Sequence, residues 1–231
     1  MRYVKKLIYF CASLLLVGAV STNAAAEGKF KTEKERLSYA IGTQIGRSLK
    51  QQGFNDVDPK ALSAAVADIL ADRKLQVSDE EMQAAVASFQ KKKLAERDAE
   101  AKANKEAGDK YRAENAKKKG VKVTKDGIQY EVLKQGTGNK PKAEDTVTVN
   151  YEGKLINGKV FDSSIERKHP ATFPLNGVIK GWTEILPMMS EGSKWRVVIP
   201  PELAYGEHGA GGVIGPNETL IFEIELISIK K

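Results

Sequence analysis

The stretch YEGKLINGKVFDSS, Tyr151 to Ser164, decides the fold of the second half of the chain. Asn157-Gly158 lies between Lys154-Leu155-Ile156 and Lys159-Val160-Phe161, and that dipeptide between apolar runs is a strong short-range signal for a tight hairpin. Upstream of it Val147, Val149 and Tyr151 recur at every second position. The same spacing holds for Ile128, Tyr130 and Val132, for Trp195, Val197 and Ile199, and for Phe222, Ile224 and Leu226. A period of two marks half-buried strands. A single helical segment, about Gly181 to Met189, interrupts them. These patterns predict an α+β domain over residues 121–231, a twisted antiparallel sheet wrapped on one short helix.

Before Gly120 the pattern changes. Residues 32–119 are rich in Ala, Lys, Glu and Gln and poor in β-branched residues, a helical composition. Thr32 with Glu35 makes a capping box for a helix that carries Leu37, Ile41, Ile45 and Leu49 on one face and stops at Gly53. Gly42 and Gly46 lie on or beside that face. Each costs about 1 kcal/mol against Ala inside a helix, so another backbone is expected to approach there. Asp58-Pro59 starts a second helix with Leu62, Val66, Ile69 and Leu70 as its stripe. Ser78 and Glu81 box the start of a third, which runs to Lys119 and closes at Gly120. Its roughly 40 residues would span about 60 Å. The apolar stripe of Met82, Val86 and Phe89 fades after Leu94, with Gly108 as a candidate bend, and the later part is read as a stalk standing in solvent. Two short amphipathic helices bury little against each other, so residues 27–77 are read as a dimerisation region completed by a second copy, and 78–120 as the stalk.

The full sequence has 231 residues, 41% hydrophobic and 29% charged, with 20 Gly and 8 Pro. That is enough apolar material for a core, and it excludes wholesale disorder and collagen. Residues 1–26 read as a secretory signal peptide: Arg2, Lys5 and Lys6, then an apolar run from Leu7 to Val20, then Ala24-Ala25-Ala26. A run of about 14 residues falls short of the roughly 20 that span a bilayer. Cleavage would remove three basic residues, taking 37 Lys+Arg to 34 against 30 Asp+Glu, so the net charge of +7 becomes +4. Cys11, the one cysteine, lies inside that run, which leaves the mature chain no thiol for a disulfide or a Cys-ligated metal.

The remaining charge runs, Lys91 to Lys93 and Lys117 to Lys119, share their helix with Glu96, Asp98, Glu100, Glu106, Asp109 and Glu114. A solvated helix is the plainer reading than a phosphate-binding one, and aromatic residues to stack on bases are nearly absent there, so no nucleic-acid partner is expected. His169 and His208 sit beside Pro170 and Gly209 in loop-like sequence, with no nucleophile elbow near either. Gly209, Gly211, Gly212 and Gly215 precede strand-like sequence and not a helix, against a phosphate loop. Two histidines without a thiol make a weak metal site, and no cofactor is expected.

What stands out is a set of apolar side chains near turns and strand ends: Tyr151, Phe161, Val178, Ile179, Trp182, Tyr205, Ile214 and Phe222. Composition alone assigns them to a core. Four motifs in order, YEGKLINGKVFDSS from Tyr151, GVIKGWTEILPMM from Gly177, PPELAYG from Pro200 and GPNETLIFEIELI from Gly215, resemble the FKBP-type peptidyl-prolyl cis-trans isomerases. The helical front half is similar to their exported Mip/FkpA-like branch. The resemblance implies an apolar pocket for a substrate proline, with Trp182 as its floor and Tyr151, Phe161, Val178, Ile179, Ile214 and Phe222 as its walls. It implies that Asp162, Tyr205 and Trp182 act in catalysis, with the Ile179 N–H and the Tyr205 hydroxyl each holding a substrate carbonyl.

The partners implied are unfolded or proline-containing polypeptides, a second copy through the N-terminal helices, and macrolides of the FK506/rapamycin class, with export to the periplasm or the outer-membrane surface. A V-shaped dimer carrying two catalytic domains is the arrangement expected. Two other roles stay open, a holdase chaperone and a surface factor that binds a host protein such as collagen, each with isomerisation secondary. Two places depart from the family's common pattern: Ala171, in a loop from Pro170 to Phe173, stands where an aromatic is common, and Ala210-Gly211-Gly212 replaces a stretch that often holds His and Pro. Both lie at the rim, so substrate preference and macrolide affinity are what they affect.

Overall fold

The computed structural model describes residues 29–230. The signal peptide read over 1–26 lies outside the described residues. Backbone contacts divide the chain into two compact units, one ending at Gln76 and the other beginning at Val77.

The first unit holds α1 (Glu33–Gln51) and α2 (Pro59–Leu70). Both expected caps form. Thr32 accepts the Glu35 N–H while the Glu35 carboxylate accepts the Thr32 N–H at 2.8 Å, and Asp58 accepts the N–H groups of Lys60 and Ala61. Gly53, at φ +80°, turns the chain out of α1. Among the described residues the unit has no buried apolar side chain. No residue of α1 is buried, and the one buried residue of α2 is Asp68, held by Arg73 and Gln76 at 2.8 and 2.7 Å. Leu37, Ile41, Ile69 and Leu70 are 53–81% exposed. A Cβ on Gly42 or Gly46 would meet nothing within 4 Å, so no described backbone of the same copy makes the close approach expected there.

The second unit runs α3 (Asp79–Asn115), β1 (Val121–Val123), β2 (Gln129–Lys134), β3 (Thr146–Leu155), β4 (Val160–Ser163), β5 (Ala171–Pro174), α4 (Lys180–Ile185), β6 (Lys194–Ile199) and β7 (Leu220–Lys230). The strands form one antiparallel sheet in the order β1-β2-β6-β7-β3-β4, and β5 also pairs with β3. β3 gives one edge to β7 along its whole length and the other to β5 over 146–149 and β4 over 152–154. Its period of two puts Val147, Val149, Tyr151, Gly153 and Leu155 inward, where they meet Leu220, Phe222, Ile224 and Leu226 of β7. Trp182, Ile185, Leu186 and Met189, from α4 and the 3-10 turn that follows it, close the core. Burying each such aliphatic side chain stabilises by about 1.5–3 kcal/mol.

The tight hairpin expected at Asn157-Gly158 joins β3 to β4. Gly158, at φ +86°, donates its N–H to the Leu155 carbonyl at 2.9 Å, so the pair ends a type I turn followed by a glycine bulge. Two expectations are corrected. The segment around Ala171, read as a loop, is strand β5. Finally, α3 ends at Asn115 and not at Lys119, runs unbroken through Gly108, and does not leave its later part in solvent. Gly108 and Asn115 are buried. Asn115 donates to the Gln129 side chain, which donates in turn to the Arg112 carbonyl, both at 2.8 Å. α3 therefore forms one compact unit with the sheet and is not a separate stalk.

Candidate active site

Glycine at 181 seats α4 on β6: a Cβ there would lie 2.5 Å from Ile199. The next residue, Trp182, places its indole among three rings. Its centroid is 5.2 Å from Tyr151, 5.9 Å from Phe173 and 5.4 Å from Phe222, with interplanar angles of 88°, 85° and 79°. Phe161 meets Phe222 edge-on at 5.6 Å. Edge-to-face packing suits the ring quadrupoles. That last pair meets above Gly153, where any Cβ would come within 2.8 Å of both rings. The Trp182 Nε1 is buried and has no hydrogen-bond partner among the described residues.

The polar side of the site is built on the β3–β4 hairpin. Ser164 accepts the Tyr151 N–H at 2.8 Å and its own N–H donates to the Tyr151 carbonyl at 3.0 Å, which fixes the chain just after β4. The Tyr151 hydroxyl donates to one oxygen of Asp162, and Arg167 binds the other oxygen. Arg167 also donates to the Tyr151 oxygen at 2.9 Å. Burial pushes the Asp162 carboxyl up, but the hydrogen bonds from Tyr151 and Arg167 outweigh it and hold the carboxyl below its usual range. Asp162 is thus a carboxylate at neutral pH, clamped in one orientation. Burial, and then the bond to Asp162, push the Tyr151 hydroxyl up.

The loop from Tyr205 to Pro216 contributes two of the expected residues. Tyr205 is 39% exposed; burial, and then the charge of Asp162, push its hydroxyl up, so it stays a donor. Ile214 is buried and exchanges backbone hydrogen bonds with Ala210 at 2.9 and 3.0 Å. Ala210-Gly211-Gly212 is therefore the tip of a tight turn. Val178 and Ile179 are half-buried where the chain enters α4. The Ile179 carbonyl accepts the Trp182 N–H at 2.9 Å, while its own N–H has no partner among the described residues.

Two residues of this arrangement escaped the sequence reading. Phe173 lies on β5, and its signal was the alternation of Ala171 and Phe173 in a stretch taken for a loop. Arg167 had only a faint signal, a base five residues after an acid, a spacing too common to single out. His169 and His208 are exposed and outside the site.

A hydrophobic box with one clamped carboxylate and donors at its rim suits a neutral, kinked peptide. A family model described as "FKBP-type peptidyl-prolyl cis-trans isomerase" matches residues 137–227, and one described as "Domain amino terminal to FKBP-type peptidyl-prolyl isomerase" matches residues 34–132. The chain belongs to the FKBP-type peptidyl-prolyl cis-trans isomerases, enzymes that accelerate rotation about X-Pro bonds. It is 44% identical to "Peptidyl-prolyl cis-trans isomerase Mip" of Coxiella burnetii over 98% of this chain and 99% of that one. It is 45% identical to "Outer membrane protein MIP" of Legionella longbeachae over 92% and 94% of the two chains. The crystal structure of FkpA from Escherichia coli, 42% identical, superposes with a TM-score of 0.62 over 87% of this chain and 98% of that one.

Proposed function

We propose that the chain is exported and acts as a dimeric folding factor, with Asp162, Tyr205 and Trp182 as catalytic residues and Tyr151, Phe161, Val178, Ile179, Ile214 and Phe222 as the substrate-binding wall. The observation that carries this reading is the box of perpendicular rings on Trp182, closed on one side by a single oriented carboxylate. Rotation about an X-Pro bond crosses a barrier of about 20 kcal/mol because it breaks amide resonance. A twisted amide has lost its resonance dipole and is less polar at oxygen, so a dry aromatic cavity penalises the planar ground state more than the twisted one. The unpartnered Ile179 N–H and the Tyr205 hydroxyl hold the flanking carbonyls, and Asp162 faces the amide nitrogen side from the rim. This differential binding lowers the barrier with no bond made or cut. Macrolides of the FK506/rapamycin class compete for the same box.

Asp162→Ala tests the assignment. Loss of an interaction with an ionised group, about 1.5–3 kcal/mol, lowers kcat/KM on a short prolyl peptide about tenfold to a hundredfold. A folded Asp162→Ala enzyme with unchanged kcat/KM removes that residue from the mechanism. Trp182→Ala is the less clean variant, since truncating a buried Trp also costs about 3–5 kcal/mol of stability.

The dimer is supported by α1 and α2, whose apolar side chains are all left unburied in one copy, and by Gly42 and Gly46, which face open space. A second copy covers both. Sedimentation at micromolar concentration is the test, and a monomer refutes it. Export is supported by the leader pattern of residues 1–26 and by the outer-membrane name of the Legionella relative. The same exposed stripe favours a second reading, a holdase that receives unfolded chains. A fragment ending at Gly120 that suppresses aggregation would establish it.

A further inference from the structure

The later half of α3 touches the catalytic domain at a particular place. Arg97 donates to the Glu207 carbonyl at 3.0 Å, Asn104 donates to the Pro216 carbonyl at 2.9 Å, and Arg112 donates to the Thr219 hydroxyl. These donors are seven and eight residues apart, two helical turns each, so they form one stripe. Their acceptors bracket the loop that carries Tyr205 and Ile214: Glu207 lies at its start, Pro216 at its end, and Thr219 just before β7. Both sides are shaped for the contact. A Cβ on Gly215 would sit 2.8 Å from the Glu100 carboxylate and 3.0 Å from the Asn104 amide, and one on Gly108 would sit 2.4 Å from the Thr219 hydroxyl. Inside the loop a 3-10 turn over Gly206–His208, the Ala210–Ile214 turn and the bond from the Asn217 N–H to the Gly206 carbonyl, at 2.9 Å, are local ties that do not reach α3.

We propose that Arg97 and Asn104 are positioning residues for catalysis, with α3 holding both ends of the 205–216 loop so that Tyr205 and Ile214 stand at the pocket. This rests on the assignment of Tyr205 and Ile214 to the site. The two carbonyls have no covalent tie to α3 nearby, and a loop of twelve residues samples many conformations unless its ends are pinned. Each bond removes part of that freedom in the free enzyme, before substrate arrives, and so appears in turnover and not only in stability.

The test uses the full chain with Asn104→Ala and Arg97→Ala, both helix-favouring changes on α3, and Lys105→Ala as the control, since Lys105 pairs with Asp109 instead. Asn104→Ala is expected to lower kcat/KM on a short prolyl peptide about fivefold, the population change one neutral hydrogen bond is worth. Amide exchange across residues 206–217 quickens in the same variant, and Asn104→Gln, which keeps the amide donor, restores both. Unaltered loop exchange, or kcat/KM equal to that of Lys105→Ala, overturns the proposal. Tyr205→Ala in the same assay separates the two layers: if it alone lowers kcat/KM, the site assignment stands and the role of α3 falls.

Discussion

Gly108→Ala is the sharpest test of how α3 is packed, because two effects of opposite sign compete. On a helix standing in water the change is worth about 1 kcal/mol of added stability through helix propensity. Against the sheet the new Cβ would lie 2.4 Å from the Thr219 Oγ1 and 3.2 Å from its Cβ. Thr219 cannot move aside cheaply: it is fully buried, branched at Cβ, and its hydroxyl already receives Arg112. The helix must back away, at an overpacking cost of about 1–3 kcal/mol. The Arg112–Thr219 bond is lost with it, about 1 kcal/mol more. Subtracting the propensity gain leaves a net loss of about 1–3 kcal/mol, which for a unit of this size lowers Tm by several degrees at about 2–4 °C per kcal/mol. Thermal unfolding followed by circular dichroism reads the sign directly. A Tm that rises on Gly108→Ala would show that propensity wins and that α3 does not lie against β7.

Burial, and then the neighbouring Glu100 charge, push the Glu218 carboxyl above its usual range. A raised acid binds its proton more tightly folded than unfolded, so its contribution is most favourable below the ordinary carboxylate pKa and is lost as pH rises through the folded value. Glu218→Gln should therefore raise Tm at pH 7, with the gain vanishing below about pH 4; a gain constant with pH would reject the pairing. Fragments 95–231 and 121–231 should differ in both Tm and kcat/KM in favour of the longer one, and equal values would make α3 a passenger. Deleting 27–76 should leave the short-peptide rate unchanged while slowing a proline-limited refolding reaction, because the proposed dimer links two pockets and so raises effective concentration on long chains only. Equal losses on both substrates would reduce the helices to a stabilising role.

The strands that were legible were those with a wet side. Val147, Val149 and Tyr151, and Phe222, Ile224 and Leu226, alternate because one face meets the core and the other meets solvent. β5 was missed because four residues cannot display a period, and Phe173 was missed with it. The docking of α3 was hidden for a different reason. Its contact stripe is Asn104, Gly108, Arg112 and Asn115, hydrogen-bonding and small residues that a search for apolar periodicity reads as solvent-facing. Gly108 was noticed but given the wrong cause, a bend in place of clearance. The ring box was visible as residue types from the start; composition could not tell a core from a pocket. Only the resemblance reads them as a pocket, and the Asp162–Arg167 pairing needed coordinates.

The sheet order bears on how the enzyme itself comes into being. β7, Leu220–Lys230, follows the other strands of the sheet in chain order, yet it lies in the middle of the sheet between β6 and β3. Until it emerges from the ribosome, β1-β2-β6 and β4-β3-β5 are two half-sheets with no bond between them and with their apolar faces uncovered. Such non-local closure is slow compared with helix formation. The helices ahead of it can form as soon as they are made, whereas the sheet can close only once β7 has joined its two halves. Loss of β7 would therefore open the central seam of the sheet rather than strip an outer strand from it.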